Sequence, residues 1–255
     1  GPMPGMPQGA PGYGAPAGGW SPQGGSTLAD GRATRYREAV HQQLRAWRQQ
    51  VLTPHVGDAA DTYPGHGHVL APQELGGIAS MLQGDDPAPF VRALAGEDGR
   101  PLSAVIRERI ASGSQQLGYD PSTTRFNEQD EDAIDLVGIM IETLSRTHAA
   151  MQRSRALYGR LVVPYVKLAL NDNGLFEHRA HPGRRLLEAL SEACDGNVGD
   201  SPQDQQTLTH AELAVERVIE EYRDDQAIFA LAAQELRDHL DQQRRVREIA
   251  EQRAA

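Results

Sequence analysis

The sequence is short of several residue types, and each shortage excludes a class of protein. Its 255 residues include one cysteine, Cys194, so no disulfide can form within the chain, and a reducing compartment such as the cytoplasm is indicated. Aromatic residues account for 5% and hydrophobic residues for 39%, with a mean hydropathy of −0.54. We therefore expect part of the chain to remain outside any packed core.

Long apolar runs and an excess of positive charge are missing too. No run approaches the roughly 18 apolar residues that a membrane-spanning helix needs, and no charged segment followed by an apolar one marks a signal peptide. With 25 basic against 35 acidic residues, the formal charge is −10. Phosphate binding requires a concentrated positive patch, which no segment offers. We expect a soluble, cytoplasmic protein without a nucleic-acid partner and without a membrane partner.

Glycine and proline are concentrated at the start of the sequence. Residues 1–31 hold 10 of the 26 glycines and 6 of the 16 prolines. Such a segment buries too little apolar surface to offset the entropy of ordering it, so we predict a disordered tether. Gly1 and Pro2 match the scar that a tag-removing protease leaves, which would make this chain part of a longer protein.

The remaining residues, 32–255, are rich in Ala, Leu, Gln, Glu and Arg, which favour helix. Apolar residues recur at spacings of three and four, and strand-like alternation is rare. This pattern predicts one all-α domain of about seven antiparallel-packed helices. Two details are less regular. Gly76 and Gly77 weaken their helix unless another helix comes close there, and residues 90–94 form a short turn at most.

The densest apolar material lies in residues 127–193. Asn127 is suited to cap a helix whose acidic first turn, up to Asp132, complements the helix dipole, and we expect these carboxylates to be solvated. Pro164 lies in the most apolar helix, which we expect to be the buried axis of the domain. Because proline removes a backbone donor, this helix either bends near Arg160 or begins anew at Pro164.

The loop that follows this helix carries the strongest acid–base or metal candidates of the sequence. Asn173 or Gly174 is suited to a left-handed helix end. Asp172, His178 and His181 then lie close together in sequence. Their spacing fits no zinc motif, and His181 is equally well explained as the start of the next helix.

Three arginines adjoin this loop. Arg179, Arg184 and Arg185 offer planar guanidinium donors that suit a phosphate or a carboxylate. Together with His181, they are the residues that we predict to bind a ligand or partner. Salt bridges from Arg184 and Arg185 to the acidic turn near Asp132 are the simpler interpretation, and the one that we favour.

Four segments resemble a bacterial family called domain of unknown function 1631, over residues of about 70 to 253. They are DEDAIDLVGIMIETL (130–144), LYGRLVVPYVKLALNDNGLFEHRAHPGRRLLEALSEA (157–193), YRDDQAIFALAAQEL and DQQRRVREIAEQR. Family members are large, mostly helical proteins, so the resemblance implies a helical fold and a chain that is a fragment. Some members are labelled thymidine phosphorylase, yet this sequence has no glycine-rich phosphate loop that follows a strand.

No nucleophile lies beside a base in the predicted helices, and we expect no catalytic residue, cofactor or metal. The sequence therefore predicts a non-enzymatic interaction or scaffolding module of a larger bacterial regulatory protein, with a protein as its partner. Formation of a homo-oligomer is also expected, because the stripe of Ile228, Leu231 and Leu236 is predicted to lack an internal partner.

Two alternatives stay open. The first is a sensor domain that binds an anionic nucleotide, such as a cyclic dinucleotide, through Arg184 and Arg185. The second is a metal-dependent enzyme that uses Asp172 and its two neighbouring histidines. His66 and His68 are a weaker metal candidate, because no cysteine or carboxylate cluster accompanies them, and a mobile loop is the better interpretation.

Overall fold

The computed structural model describes residues 26–52, 67–147 and 152–255. Of the described residues, 26–43 belong to one compact unit, and 44–52, 67–147 and 152–255 belong to a second. Residues 1–25 of the predicted tether lie outside the described residues. So does His66, together with most of the loop predicted around it.

The described residues are almost entirely helical, which confirms the all-α prediction. The α-helices are α1 (Ser26–Trp47), α2 (Pro72–Leu82), α3 (Ala88–Leu94), α4 (Leu102–Ser114), α5 (Glu128–Thr147), α6 (Gln152–Asn171), α7 (Gly174–Glu177), α8 (Pro182–Cys194), α9 (Pro202–Glu221) and α10 (Ala227–Ala254). A π-helical turn, Arg48–Leu52, follows α1 directly, and two 3-10 turns, Gln115–Leu117 and Pro121–Thr123, lie between α4 and α5.

The described part of the chain contains no strand, and its β structure is limited to one isolated parallel bridge between Val69 and Arg125. None of its helices is long and apolar enough to cross a membrane. The first helix begins at Ser26, so the last residues of the predicted tether are helical.

Helix α6 is the buried axis of the second unit, as the sequence predicted. It packs against α2, α3, α5 and α9, and most of its residues from Leu157 to Ala169 are buried. The helix continues through Pro164, so the predicted fresh start at this proline is wrong. Proline costs the helix one backbone hydrogen bond, but packing on several sides of α6 holds the residues around Pro164 in helical conformation.

Two glycines let neighbouring helices approach α5 and α6 closely. A Cβ added to Gly159 of α6 would lie 2.5 Å from Cγ2 of Val91 on α3, and one added to Gly138 of α5 would lie 3.0 Å from the backbone nitrogen of Ser103 on α4. Only glycine leaves room for such contacts. Gly77 of α2 differs, because a Cβ there would meet no atom of the described residues within 4 Å, so no described helix comes close enough there to offset the cost of this glycine.

Two short helices were not predicted. Residues 88–94 form α3 rather than a turn, and Phe90 is buried within it. The predicted left-handed end of α6 is also wrong, because Asn173 has φ −65° and starts α7. The Asp172 carboxylate accepts a hydrogen bond from the Gly174 N–H at 2.8 Å, which turns the chain without a left-handed residue.

The apolar stripe predicted to be unpartnered on α10 is mostly covered. Leu236 is buried in the core and Ile228 packs against it, whereas Leu231 is 44% exposed. The prediction that this stripe lacks an internal partner is therefore wrong, and the stripe is not available as a surface for self-association. Beyond Leu240 the helix continues with no buried side chain, up to Ala254.

Candidate functional site

The predicted corner around His181 is a structural joint. His181 caps α8: its Nδ1 accepts a hydrogen bond from the Gly183 N–H at 3.0 Å. Its Nε2 must therefore carry the proton in the neutral ring, and it donates to Asp172 Oδ2 at 2.9 Å. The same carboxylate oxygen accepts a hydrogen bond from Gln226 Nε2 at 2.8 Å. Because His181 is buried and both ring nitrogens are engaged, it is unsuited to bind a ligand.

The pKa of Asp172 reflects this joint. Partial burial alone would raise it, but the hydrogen bonds from Gln226, His181 and the Gly174 N–H outweigh burial and hold the Asp172 pKa below its ordinary value. Asp172 therefore stays ionised and links the end of α6 to the starts of α7, α8 and α10.

Gly183 completes the corner. The Tyr165 hydroxyl donates to the Gly183 carbonyl oxygen at 2.6 Å, and burial raises the pKa of Tyr165 well above its ordinary value. A Cβ added to Gly183 would lie 2.7 Å from Leu168 Cδ2 and 2.8 Å from Leu175 Cδ1. Helix capping and close packing thus account for the first three residues of the HPGRR segment, His181 to Gly183.

The three arginines of the predicted site differ in exposure. Arg179 and Arg185 are exposed, whereas Arg184 is half-buried and donates to the Phe176 carbonyl oxygen at 3.4 Å. The favoured salt bridges from Arg184 and Arg185 to the turn near Asp132 are wrong, because Asp132 pairs with Arg48. Nucleotide binding at these arginines stays a prediction.

The metal alternative gains no ligand set in the described residues. His178 is exposed, and no group of three or more His, Cys, Asp or Glu side chains there is arranged to hold a metal ion. His68, the described member of the weaker histidine pair, stacks on the Tyr119 ring at 3.8 Å and bonds Glu74 at 2.8 Å.

A buried charge cluster was missed at the sequence level. Asp135 of α5 is fully buried and accepts hydrogen bonds from Arg107 Nη2 at 2.7 and 2.9 Å, and from Ser103 and Arg48. Arg107 Nη1 also donates to Glu131 at 2.8 Å. The signal was present: an aspartate on the apolar face of an amphipathic helix must find buried partners.

The acidic first turn of α5 is less solvated than predicted. Asn127 does cap the helix, since its Oδ1 accepts a hydrogen bond from the Asp130 N–H at 2.8 Å. Asp130 itself is buried, and burial raises its pKa, although a hydrogen bond with Asn127 opposes the shift. Asp132 pairs with Arg48. Burial alone would lower the pKa of Arg48, but its hydrogen bonds to Asp132 and Asp135 outweigh burial and raise that pKa above its ordinary value.

A concave surface lies between the second half of α5 and helix α8. We call it the α5–α8 groove, and its volume is about 630 Å³. Its lining residues are Met140, Thr143, Leu144 and Thr147 from α5, with Arg184, Leu187, Glu188, Ser191 and Glu192 from α8 and Asp195 just after it.

The groove is lined by both apolar and acidic side chains. Met140 and Leu144 are partly buried and pack against the core, and Leu187 belongs to the core. Glu188 and Asp195 are exposed, while Glu192 bonds two arginines of α10. The lining has a formal charge of −2, and because Glu192 is already paired, Glu188 and Asp195 are the carboxylates that remain open to a partner. Such a surface suits an apolar partner with basic flanks.

A second cavity, of about 470 Å³, is lined by three arginines, the Phe126 ring and several hydroxyls. Two of these arginines already pair with carboxylates: Arg100 bonds Asp98 and Glu108, and Arg107 bonds the cluster around Asp135. Because the charges of these two arginines are neutralised within the protein, they offer an anion no special attraction.

Comparison with known proteins identifies relatives of the chain. Residues 70–225 match the family model described as "Protein of unknown function (DUF1631) 2nd domain". Neither the comparison with curated proteins nor the comparison with solved structures found a match.

Proposed function

The chain belongs to the domain of unknown function 1631 family, and we propose that it serves there as a non-enzymatic interaction module whose α5–α8 groove binds a basic amphipathic helix of a protein partner. One observation carries the proposal: the groove combines an apolar floor with an acidic rim. The module would work in the cytoplasm, in keeping with a single cysteine that is buried and free.

The shape of the groove supports a helical occupant. Its two walls are helices, and α5 and α8 are not among the described helices that pack closely against each other. Helix-in-groove recognition uses side chains at spacings of three and four from one face of the bound helix. Met140, Leu144 and Leu187 offer the apolar surface that such a face requires.

The negative charge of the groove supports a partner helix that carries positive charge. Glu188 and Asp195 are exposed at its edge, where rim charges steer encounter and select partners more than they add affinity. An acidic helix would meet like charges on the same edge. We therefore expect selection for Lys or Arg beside the apolar face of the occupant.

The test compares two designed peptides that differ only in charge. Both carry leucines at helical spacing, and the flanking residues are lysines in one and glutamates in the other. Titrated with the full chain in fluorescence anisotropy at low salt, the lysine peptide should bind and the glutamate peptide should not.

A pair of threonine variants locates the binding. Thr143 lines the groove, and its hydroxyl donates to the Ile139 carbonyl oxygen. Thr209, exposed on α9, makes the same bond to the Gln205 carbonyl oxygen outside the groove. Thr143→Trp should fill the groove and abolish binding, whereas Thr209→Trp should leave it unchanged. Equal binding by both variants, or by both peptides, would contradict the proposal.

A further inference from the structure

The last turns of α10 form a second unpartnered surface on this chain. We call residues 241–254 the α10 tail; none of its side chains is buried, Val246 is 62% exposed and Ile249 is 49% exposed. An exposed apolar pair on a regular helix, beyond the part that packs on the core, is a surface that another protein can cover.

The tail is amphipathic in a specific sense. At about 100° per residue, Val246, Ile249 and Ala250 share one face of the helix, and Arg245 and Arg253 lie on or beside that face. The three acidic residues of the tail, Asp241, Glu248 and Glu251, fall on the opposite side of the helix. The apolar face is therefore bordered by positive charge alone.

That face points away from the chain's own α8. Arg237 and Arg244 of α10 both bond Glu192, and on the helix they lie about half a turn from Val246. The side of α10 that carries these arginines faces α8, so the opposite side, with Val246, cannot enter the groove of its own chain. It is presented to other molecules.

Charge distinguishes the tail from the rest of the chain. It contains four arginines and three acidic residues, Asp241, Glu248 and Glu251. Its formal charge is therefore +1, in a chain whose net charge is −10. The α5–α8 groove, at −2, has the opposite sign. Arg244 already bonds Glu192 within one chain, which shows that tail arginines suit the carboxylates of this rim.

We propose that the α10 tail of one copy docks in the α5–α8 groove of a second copy. The inference rests on the proposed function and names the occupant of its groove. The face of Val246 and Ile249 covers the floor, and Arg245 and Arg253 lie against the acidic rim. The partner is thus another molecule of the same chain.

Sedimentation velocity of the full chain tests this docking at two concentrations about twentyfold apart. The wild type should sediment faster at the higher concentration, and added salt should reduce the effect. Ile249→Asp should weaken self-association by about tenfold or more. Leu213→Asp is the matched control, because Leu213 is also exposed (56%) but lies on α9, outside both surfaces, and it should behave like the wild type.

Charge reversal supplies a more demanding test. Glu188→Arg places the wrong sign on the groove, and Arg245→Glu places it on the tail, so each variant alone should be monomeric. An equimolar mixture should regain association, because the reversed tail fits the reversed groove. A wild type that stays monomeric at the higher concentration, or association that survives Ile249→Asp, would overturn the inference.

The proposed function can survive that failure. If the chain is monomeric yet binds the lysine peptide in a manner that Thr143→Trp abolishes, the groove accepts basic helices and only the second copy is excluded as occupant. If the chain is monomeric and binds neither peptide, both proposals fail. If it self-associates and Thr143→Trp has no effect, the copies meet at another surface and the inference is overturned.

Discussion

His181 Nε2 lies 2.9 Å from Asp172 Oδ2, and this contact joins the end of α6 to the start of α8. Gln226, at the start of α10, donates a hydrogen bond to the same carboxylate oxygen and so joins α10 to these helices. The residues that looked most like a metal or acid–base site are thus used to hold helix ends together. Since the protein's own groups occupy the Asp172 carboxylate, a chemical role would require this joint to open.

Replacing Asp172 tests the joint through its pH dependence. A carboxyl group whose pKa is lower in the folded than in the unfolded state binds fewer protons when folded. Its stabilisation is therefore present above the ordinary carboxyl pKa and is lost as the pH falls through the folded pKa. Asp172→Asn should lower the free energy of unfolding at neutral pH and flatten its decline between about pH 5 and pH 3, measured by urea unfolding.

Glu248→Gln is the control for that experiment, because Glu248 is an exposed carboxylate on the α10 tail. It should leave both the stability and its decline in acid unchanged. An Asp172→Asn protein with the acid profile of the wild type would show that the joint contributes nothing through ionisation.

The buried cluster predicts a large and specific loss of stability. Asp135→Ala leaves Arg107 and Arg48 without their shared buried carboxylate, and removal of one partner from a buried ion pair costs about 3–5 kcal/mol. Glu131→Ala should cost much less, because the Glu131 side chain is 29% exposed and its loss leaves Asp135 in place. Urea unfolding of both variants measures the difference, and equal losses would contradict the reasoning.

Two glycine-to-alanine changes should move stability in opposite directions. Gly159→Ala forces Val91 away from a contact of 2.5 Å and should destabilise by about 1–3 kcal/mol. Gly77→Ala adds a methyl group in open space within α2 and should stabilise by about 0.5–1 kcal/mol. Thermal unfolding of the two proteins checks the signs, and a destabilised Gly77→Ala would mean that this helix is not formed as described.

A histidine pair between α9 and α10 predicts a second pH effect. His210 and His239 stack with ring centroids 3.8 Å apart, and Thr207 bonds His239 Nε2 at 3.2 Å. Burial, and then the nearby His210, lower the pKa of His239. The unfolded state therefore binds more protons, so stability is complete above the ordinary histidine pKa and falls as the pH drops below about 6.5.

His239→Gln should remove part of that fall between about pH 8 and pH 5. His178→Gln, at an exposed histidine outside the pair, serves as the comparison and should keep the wild-type profile. Chemical unfolding at each pH gives the free energies, and identical profiles for both variants would contradict the assignment to His239.

Local signals in the sequence were sufficient for much of the fold. Asn127 and His181 mark helix starts through the chemistry of their own side chains, and the structure confirms both. The fresh helix start, one of the two alternatives predicted for Pro164, was wrong because the packing that keeps the helix continuous comes from distant segments. Arg48, one of the partners of Asp135, lies 87 positions away from it in the chain, and residue spacing in the sequence does not indicate such a distant pair.

The candidate site was predicted less well for the same reason. Arg184, one of the predicted binding residues, lines the α5–α8 groove. The groove itself depends on how far α5 stands from α8, and this distance is set by the helices that pack beneath them. The predicted stripe failed at Leu236, because the core that covers it is built from other helices.

Cys194 gives the protein a built-in chemical reporter. It is the only thiol in the chain and is buried, and burial raises its pKa, although a hydrogen bond with Ser154 opposes the shift. A thiol-specific reagent can therefore label it only when the end of α8 opens. Glu192 and Asp195 flank this cysteine and line the groove, so an occupant that holds α8 in place should slow the labelling, with no dye or tag attached beforehand.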